Sequence, residues 1–551
     1  MSKSISRGVI ATTRHTIWQG RSNFLSLAAI SFIILTGIFL RFYHISDDQF
    51  LFYDEGMYLG HNREFLNVVA NNPPHNLNEL GIILSLMFKT ALTTAKALWF
   101  FVLNLRVFIL GSQAWFFARW VSFFCGVVTV VLLYFWVKRY YKSSRIALLS
   151  ACILLILPSH VFYSRLGMQE ALSTLLFLST IYLYMLKERI HWSFFISALL
   201  LVCVYLTNYR MIIAPVFIVF IECFNVFSKG GEIYKQLKFI HWSKIAIYLA
   251  VFYGLVFWIG GLYGGVNRQV TLGWMFHQAQ DASGKFNPIN FLSYPYYVFV
   301  LEGFFFACFF WSNIYFMKFK EYSKFLSFGI VILRMVIFSF AAEKGARYLC
   351  VVLPFMAVAG AVAINECYQR YVKARGWVIT LASLSLGGMI YISGSLALAH
   401  TDYKKAVHFI TDHDPEALIV STQPLVEGLF LNDDKRIVAC PHDLYSLGEL
   451  YKHGARYLIL DPQAYISWTA NGRRFSPPLE EILGTTLKEV RPLQTFPHLN
   501  EILLSRFVLD HNEQVLESII FLSIAQAKGY GKIRIYELGA IFSALKQEHV
   551  S

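Results

Sequence analysis

Residues 114–137, AWFFARWVSFFCGVVTVVLLYFWV, followed at once by Lys138, Arg139, Lys142 and Arg145, decide how the chain must be read. A helix crosses the hydrocarbon core of a bilayer with about 20 mostly apolar residues. This run is long enough and carries one charge, Arg119. The cations that close it mark the end that stays in the cytoplasm. Runs of the same kind recur on both sides. They read at about Leu25–Phe42, Ile146–Phe162, Ala171–Leu186, Trp192–Thr207, Met211–Phe227, Ile245–Tyr263, Tyr294–Met317, Phe325–Ala342, Tyr348–Ile364 and Trp377–Leu398. The sequence therefore predicts a polytopic α-helical membrane protein with about 11 transmembrane helices.

Orientation follows from the loops. A cytoplasmic tail over residues 1–24, with Lys3, Arg7, Arg14 and Arg21, places Lys187/Arg189, Lys229/Lys235/Lys238/Lys244, Lys318/Lys320/Lys324 and Arg370/Lys373/Arg375 on the same inner side. The first span, without a small-residue cleavage site, reads as an uncleaved signal anchor. The interrupted stretch Gly81–Leu110 reads as two short interfacial helices, with Lys89, Lys96 and Arg106 snorkelling to the headgroups. A true span there would invert everything downstream.

The composition agrees. The 551 residues are 56% hydrophobic, 17% aromatic and only 15% charged, with mean hydropathy +0.50. A soluble domain needs about 25% charged residues, so soluble, disordered and fibrous classes are excluded. The net charge of +14 sits in the inner loops and implies no nucleic-acid partner. The eight cysteines show no zinc spacing and, apart from Cys440, lie in or beside apolar runs.

Three divisions result: the tail 1–24, a membrane domain 25–399 with a long first outer loop 43–113, and an extracytoplasmic domain 400–551. In the last, Ala417–Ser421, Arg436–Ala439, Arg456–Asp461 and Lys532–Leu538 read as strands. Pro424–Leu431 and Leu444–His453 between them read as helices. Alternation of this kind predicts a small C-terminal soluble α/β domain with a parallel sheet and a structural or acceptor-positioning role.

Chemistry-bearing residues gather on the outer side. The first outer loop holds Tyr53-Asp54-Glu55-Gly56-Met57-Tyr58 and His61. If Asp54 opens a helix, Tyr58 and His61 lie on its face, and an acid in a first turn is favoured by the helix dipole. Simple N-capping explains the same pair. After span three come Ser164-Arg165-Leu166-Gly167-Met168-Gln169-Glu170. Tyr209-Arg210 and Glu343-Lys344-Gly345-Ala346-Arg347-Tyr348 occupy two further outer turns. Acids there could activate a hydroxyl and arginines could grip a phosphate, while interfacial anchoring would explain any one pair. Within the spans, Glu302 and Arg334 are expected to pair and fix packing or to meet a lipid phosphate, with Glu222 a weaker case.

These features together resemble the GT-C superfamily of membrane glycosyltransferases. The carriers are an Asp54-Glu55 in a long first outer loop, Gly111–Ser122 leading into span two, Ser164–Glu170 after span three, and Arg347-Tyr348-Leu349 before Pro354. The branch resembled holds the protein O-mannosyltransferases (family 39) and the lipid A aminoarabinose transferase of the bacterial inner membrane. The resemblance implies transfer of a sugar from a polyprenyl-phosphate donor to a lipid, glycan or protein acceptor. By position it implies Asp54 as general base with Glu55 in support, and Glu170 where the family usually has Asp. Arg165, Arg210, Lys344 and Arg347 would hold the donor phosphate, and Tyr53, Tyr58 and His61 would contact donor or acceptor. Some members bind a divalent metal near the first-loop acid; no ligand set for one is legible here, so no cofactor is assigned. One base and one displacement imply inversion at the sugar carbon. The competing expectations are a transporter or flippase of lipid-linked sugars and a non-catalytic assembly factor.

Overall fold

The computed structural model describes residues 30–46, 53–60, 63–94, 96–111, 116–187, 190–227, 242–262, 291–319, 321–340, 345–398, 401–431, 436–441, 443–460, 490–497 and 532–548. The apolar runs read from the sequence are largely helical where described, with breaks at Leu157 and at Glu302-Gly303. Among the described residues six helices are long and apolar enough to cross a membrane: Phe117–Tyr141, Tyr209–Phe227, Trp242–Ile259, Tyr322–Ser339, Ala346–Arg370 and Val372–Ala397. Shorter apolar helices, including Ile30–Phe42, Ser144–Ile156, Glu170–Met185 and Trp192–Thr207, complete the bundle.

Ala346–Arg370 is its axis. The small residues of Ala357-Val-Ala-Gly-Ala-Val-Ala363 let neighbours approach closely, and Ser144–Ile156, Phe304–Phe316 and Leu326–Ser339 all pack on it. The peripheral helices turn large apolar side chains outward. Trp377 is 72% exposed and Phe124 58%, which only a hydrocarbon surround makes favourable. The run Tyr294–Met317 is not one helix: it breaks into Ser293–Leu301 and Phe304–Phe316 at Gly303, whose φ of +94° favours glycine.

Gly81–Leu110 forms three helical pieces, Leu77–Leu92, Ala97–Asn104 and Arg106–Ile109, of which the first two fold against each other. None is a full-length span. Two of its three cations differ from the expected snorkelling. Lys89 is exposed, but Lys96 and Arg106 turn inward onto Tyr53–Gly60. The carbonyl end of that helix and the face of Tyr58 offer each cation a partner closer than water.

Beyond the bundle, five strands form one sheet in the order β2-β1-β3-β5-β4. β1 (Leu418–Ser421) pairs in parallel with β2 (Ile437–Ala439) and β3 (Ala455–Leu460). β5 (Lys532–Glu537) joins β3 antiparallel, and β4 (Gln494–Pro497) joins β5 antiparallel. The sheet is thus mixed, where the sequence predicts a parallel one. Alternation along the strands sends Ile419, Ile459 and Ile535 to a face covered by Tyr403–His413. Val420, Leu458 and Tyr536 go to the other face, under Leu444–Lys452 and Leu538–Glu548.

Candidate active site

Tyr53–Gly60 is an eight-residue helix bearing Asp54 in its first turn and Glu55 beside it. Glu55 is fully buried. Arg119, in the first turn of Phe117–Tyr141, grips it in two places, with Nε 2.9 Å from Oε1 and Nη2 3.1 Å from Oε2. The Gly167 N–H donates to Oε1 at 2.5 Å. A bidentate guanidinium–carboxylate pair fixes orientation as well as charge. The helix is therefore tied to two membrane segments through one residue. Both Glu55 oxygens are thereby engaged, by Arg119 and by Gly167.

The far half of the helix is held as firmly. Lys96 Nζ donates to the Tyr58 hydroxyl and stands 4.2 Å over that ring, whose edge meets Phe100. Arg106 Nη2 donates to the Leu59 carbonyl at 3.0 Å. Lys96 escaped the sequence reading as a site residue; its only signal was its interruption of an apolar run.

A third restraint comes from the α/β domain. The short helix Pro424–Glu427 lies against Tyr53–Gly60. A Cβ on Gly56 would stand 2.8 Å from both Leu425 O and Val426 Cα, a backbone-to-backbone approach only glycine allows. The soluble domain thus rests directly on the Asp54–Glu55 helix.

Glu170 opens the next membrane helix, Glu170–Met185, and is buried; its Oε1 accepts from Gln169 Nε2 at 3.0 Å. That helix and His191–Thr207 form an antiparallel hairpin, so the chain returns to the Glu170 end at Tyr209–Ile213. Here Arg210 is buried with its guanidinium 4.6 Å from the Tyr348 ring. The segment Ala346–Val352, which packs along Glu170–Met185, brings Arg347 to 6.0 Å from the same ring. Arg334 donates from Nε to the Tyr348 carbonyl at 2.8 Å. Three arginines from three segments therefore surround one tyrosine, on the bundle face that carries Glu55 and Glu170.

Arg334 was expected to pair with Glu302. Instead the Glu302 carboxylate accepts the Ser159 N–H at 3.3 Å, at the start of Pro158–Tyr163. Helix ends offered both groups nearer partners than each other. Glu222 pairs with Lys187 and accepts from Tyr184 at 2.8 Å, at the other end of the Glu170 helix.

Arg165 donates to the Leu40 carbonyl and, at 3.3 Å, to that of Ala397. It closes the carbonyl ends of Ile30–Phe42 and Arg375–Ala397, where a cation opposes the helix dipole. Burial, and then the charge of Arg119, lower its guanidinium to about 10, so it stays cationic at neutral pH. Arg41 does the same for Gly37 O at 2.8 Å and also donates to His160 Nδ1 at 2.7 Å. His61 and Lys344 lie outside the described residues, and of Tyr53 and Asp54 only the backbone is described. Among the described residues no three His, Cys, Asp or Glu side chains gather as a metal ion would need.

The architecture is shared with known proteins. The family model for dolichyl-phosphate-mannose-protein mannosyltransferases matches residues 96–258. ArnT from Cupriavidus metallidurans, bound to undecaprenyl phosphate, is 11% identical with a TM-score of 0.51, covering 80% of this chain and 94% of that one. The Archaeoglobus fulgidus oligosaccharyltransferase in its apo form is 12% identical with a TM-score of 0.51, covering 80% and 71%. The same organism's AglB, in complex with an inhibitory peptide and a dolichol-phosphate, is 13% identical with a TM-score of 0.50, covering 81% and 71%. No curated protein matches the sequence. The fold is that of a multi-pass membrane protein and is similar to these solved structures. The chain resembles the branch of the protein O-mannosyltransferases and the aminoarabinose transferase.

Proposed function

We propose that this protein is a membrane glycosyltransferase that moves a sugar from a polyprenyl-phosphate carrier to an acceptor hydroxyl on the extracytoplasmic face. Asp54 is the general base. It takes the proton of the acceptor hydroxyl as that oxygen attacks the anomeric carbon and the bond to phosphate breaks. The leaving polyprenyl phosphate is a weak base and needs positive charge at its oxygens rather than a proton. Arg210, Arg347 and Lys344 supply that charge, and Arg334 holds Tyr348 between them. A single displacement inverts the sugar carbon. Glu170 faces the donor side, with Tyr58 beside the base, while Arg165 braces the helix ends.

The observation that carries the reading is the lock on Glu55. A buried bidentate pair with Arg119 and the Gly167 N–H fixes the orientation of the helix bearing Asp54, on the face where Arg210, Arg334 and Arg347 converge. Preorganised charge at a reacting centre is the largest catalytic contribution in most enzymes. The likeness to structures that hold undecaprenyl phosphate and dolichol-phosphate supports a carrier of that class.

The test is mass spectrometry of surface glycolipids and glycoproteins from a deletion strain complemented with wild-type or Asp54→Asn protein at equal expression. One sugar should vanish on deletion, return with the wild type and stay absent with the variant. A glycan profile restored by Asp54→Asn refutes the base, and an unchanged profile on deletion refutes the transferase.

A further inference from the structure

On the membrane face opposite the candidate site, three helix ends meet. Ser144–Ile156 begins there, Ala346–Arg370 finishes there, and Arg375–Ala397 begins there. Arg145 and Arg375 both turn onto Tyr368, their guanidinium carbons 4.2 and 4.9 Å from its ring centroid. Arg375 Nε also donates to the Tyr368 carbonyl at 3.1 Å. A ring face attracts a cation, and Tyr368 is contacted by both guanidinium groups.

Neither charge is neutralised. Among the described residues no carboxylate pairs with Arg145 or Arg375. The acid nearest in sequence, Glu366, is already taken by Lys324 at 2.8 Å and Arg370 at 2.8 Å. Both arginines are exposed and keep free N–H groups. Two planar donor forks on one tyrosine offer N–H groups suited to the oxygens of a phosphate.

We propose that Arg145, Tyr368 and Arg375 form a binding site for the phosphate of an anionic phospholipid in the leaflet opposite the candidate active site. The surroundings favour a lipid over a free anion. From Arg375 the helix presents Trp377, 72% exposed, and Ile379, 54% exposed, to its surround. Tryptophan settles at headgroup depth, and the apolar flank below it receives the acyl chains. A helix of 23 residues separates Arg375 from Ala397, on whose carbonyl Arg165 closes. At 1.5 Å per residue that is about 35 Å, the full thickness of the bilayer core. The site is therefore separate from the one that would hold a sugar donor.

The test is native mass spectrometry of the purified full-length protein in neutral detergent, titrated with dioleoylphosphatidylglycerol or dioleoylphosphatidylcholine. The wild type should retain the anionic lipid preferentially. Arg145→Gln and Arg375→Gln should each weaken retention about fivefold, and both together about thirtyfold. Tyr368→Phe keeps the ring and should bind as the wild type does, whereas Tyr368→Leu should lose binding. Lys452→Gln, the same charge change on the α/β domain, should have no effect. Wild-type retention by the double variant, equal retention of the two lipids, or displacement by inorganic phosphate would each overturn the proposal.

Discussion

Glu55 and Arg119 stand 64 positions apart, yet together they are 97–99% buried. Removing one partner of a buried pair leaves a charge without compensation, which costs about 3–5 kcal/mol. Arg119→Ala should therefore lower the thermal unfolding midpoint in detergent sharply, while Lys452→Ala, at an exposed pair with Glu449, should not move it. Asp54→Asn keeps the shape of the side chain and removes the proposed base. Transfer should fall at least about 100-fold, the usual contribution of a positioned acid or base, with the unfolding midpoint unchanged. Arg119 was visible in the sequence as a charge in an apolar run, but its partner was not. Helical periodicity reports neighbours within one turn; a contact across 64 residues leaves no such trace.

At the scale of elements, the glycine of Asp54-Glu55-Gly56 carries the seam between the two domains. Gly56→Ala must push Pro424–Glu427 away, an overpacking cost of about 1–3 kcal/mol, and should expose the buried Thr401-Asp402 segment to limited proteolysis. Gly60→Ala, in the same helix with open space around its Cα, is the control and should leave cleavage unchanged. Inside the α/β domain, burial pushes the Cys440 thiol up to about 12. At pH 8 it should resist alkylation until denaturant is added, as a thiol held far below its titration point must. Strands β1, β2, β3 and β5 were legible because short β-branched runs alternate with helical ones. β4 was not, since Gln494-Thr-Phe-Pro497 is four residues ending in proline and takes its place only by edge pairing with β5. The break at Gly303 was also hidden, because apolar composition on both sides reads as one continuous run.

For the whole molecule, apolar length and loop charge were enough to give the bundle, because a bilayer accepts few other solutions. The loops also led the sequence reading to expect the chemistry at the outer helix ends. What they could not give was the long-range geometry: Glu55 locked by Arg119 and Gly167, Arg210, Arg334 and Arg347 gathered around Tyr348, and Lys187, Lys324 and Arg370 spent on Glu222 and Glu366 at the other end. In the proposed reaction labour divides across that one face, with arginines for the lipid phosphate and Asp54 for the proton. The most direct measurement is the affinity of purified protein for undecaprenyl phosphate, compared between wild type, Arg210→Ala and Asp54→Asn. Arg210→Ala should weaken binding at least about tenfold, the worth of one buried charge-assisted contact, and Asp54→Asn should bind as tightly as the wild type. Unchanged affinity in Arg210→Ala, or affinity lost in Asp54→Asn, would contradict that division.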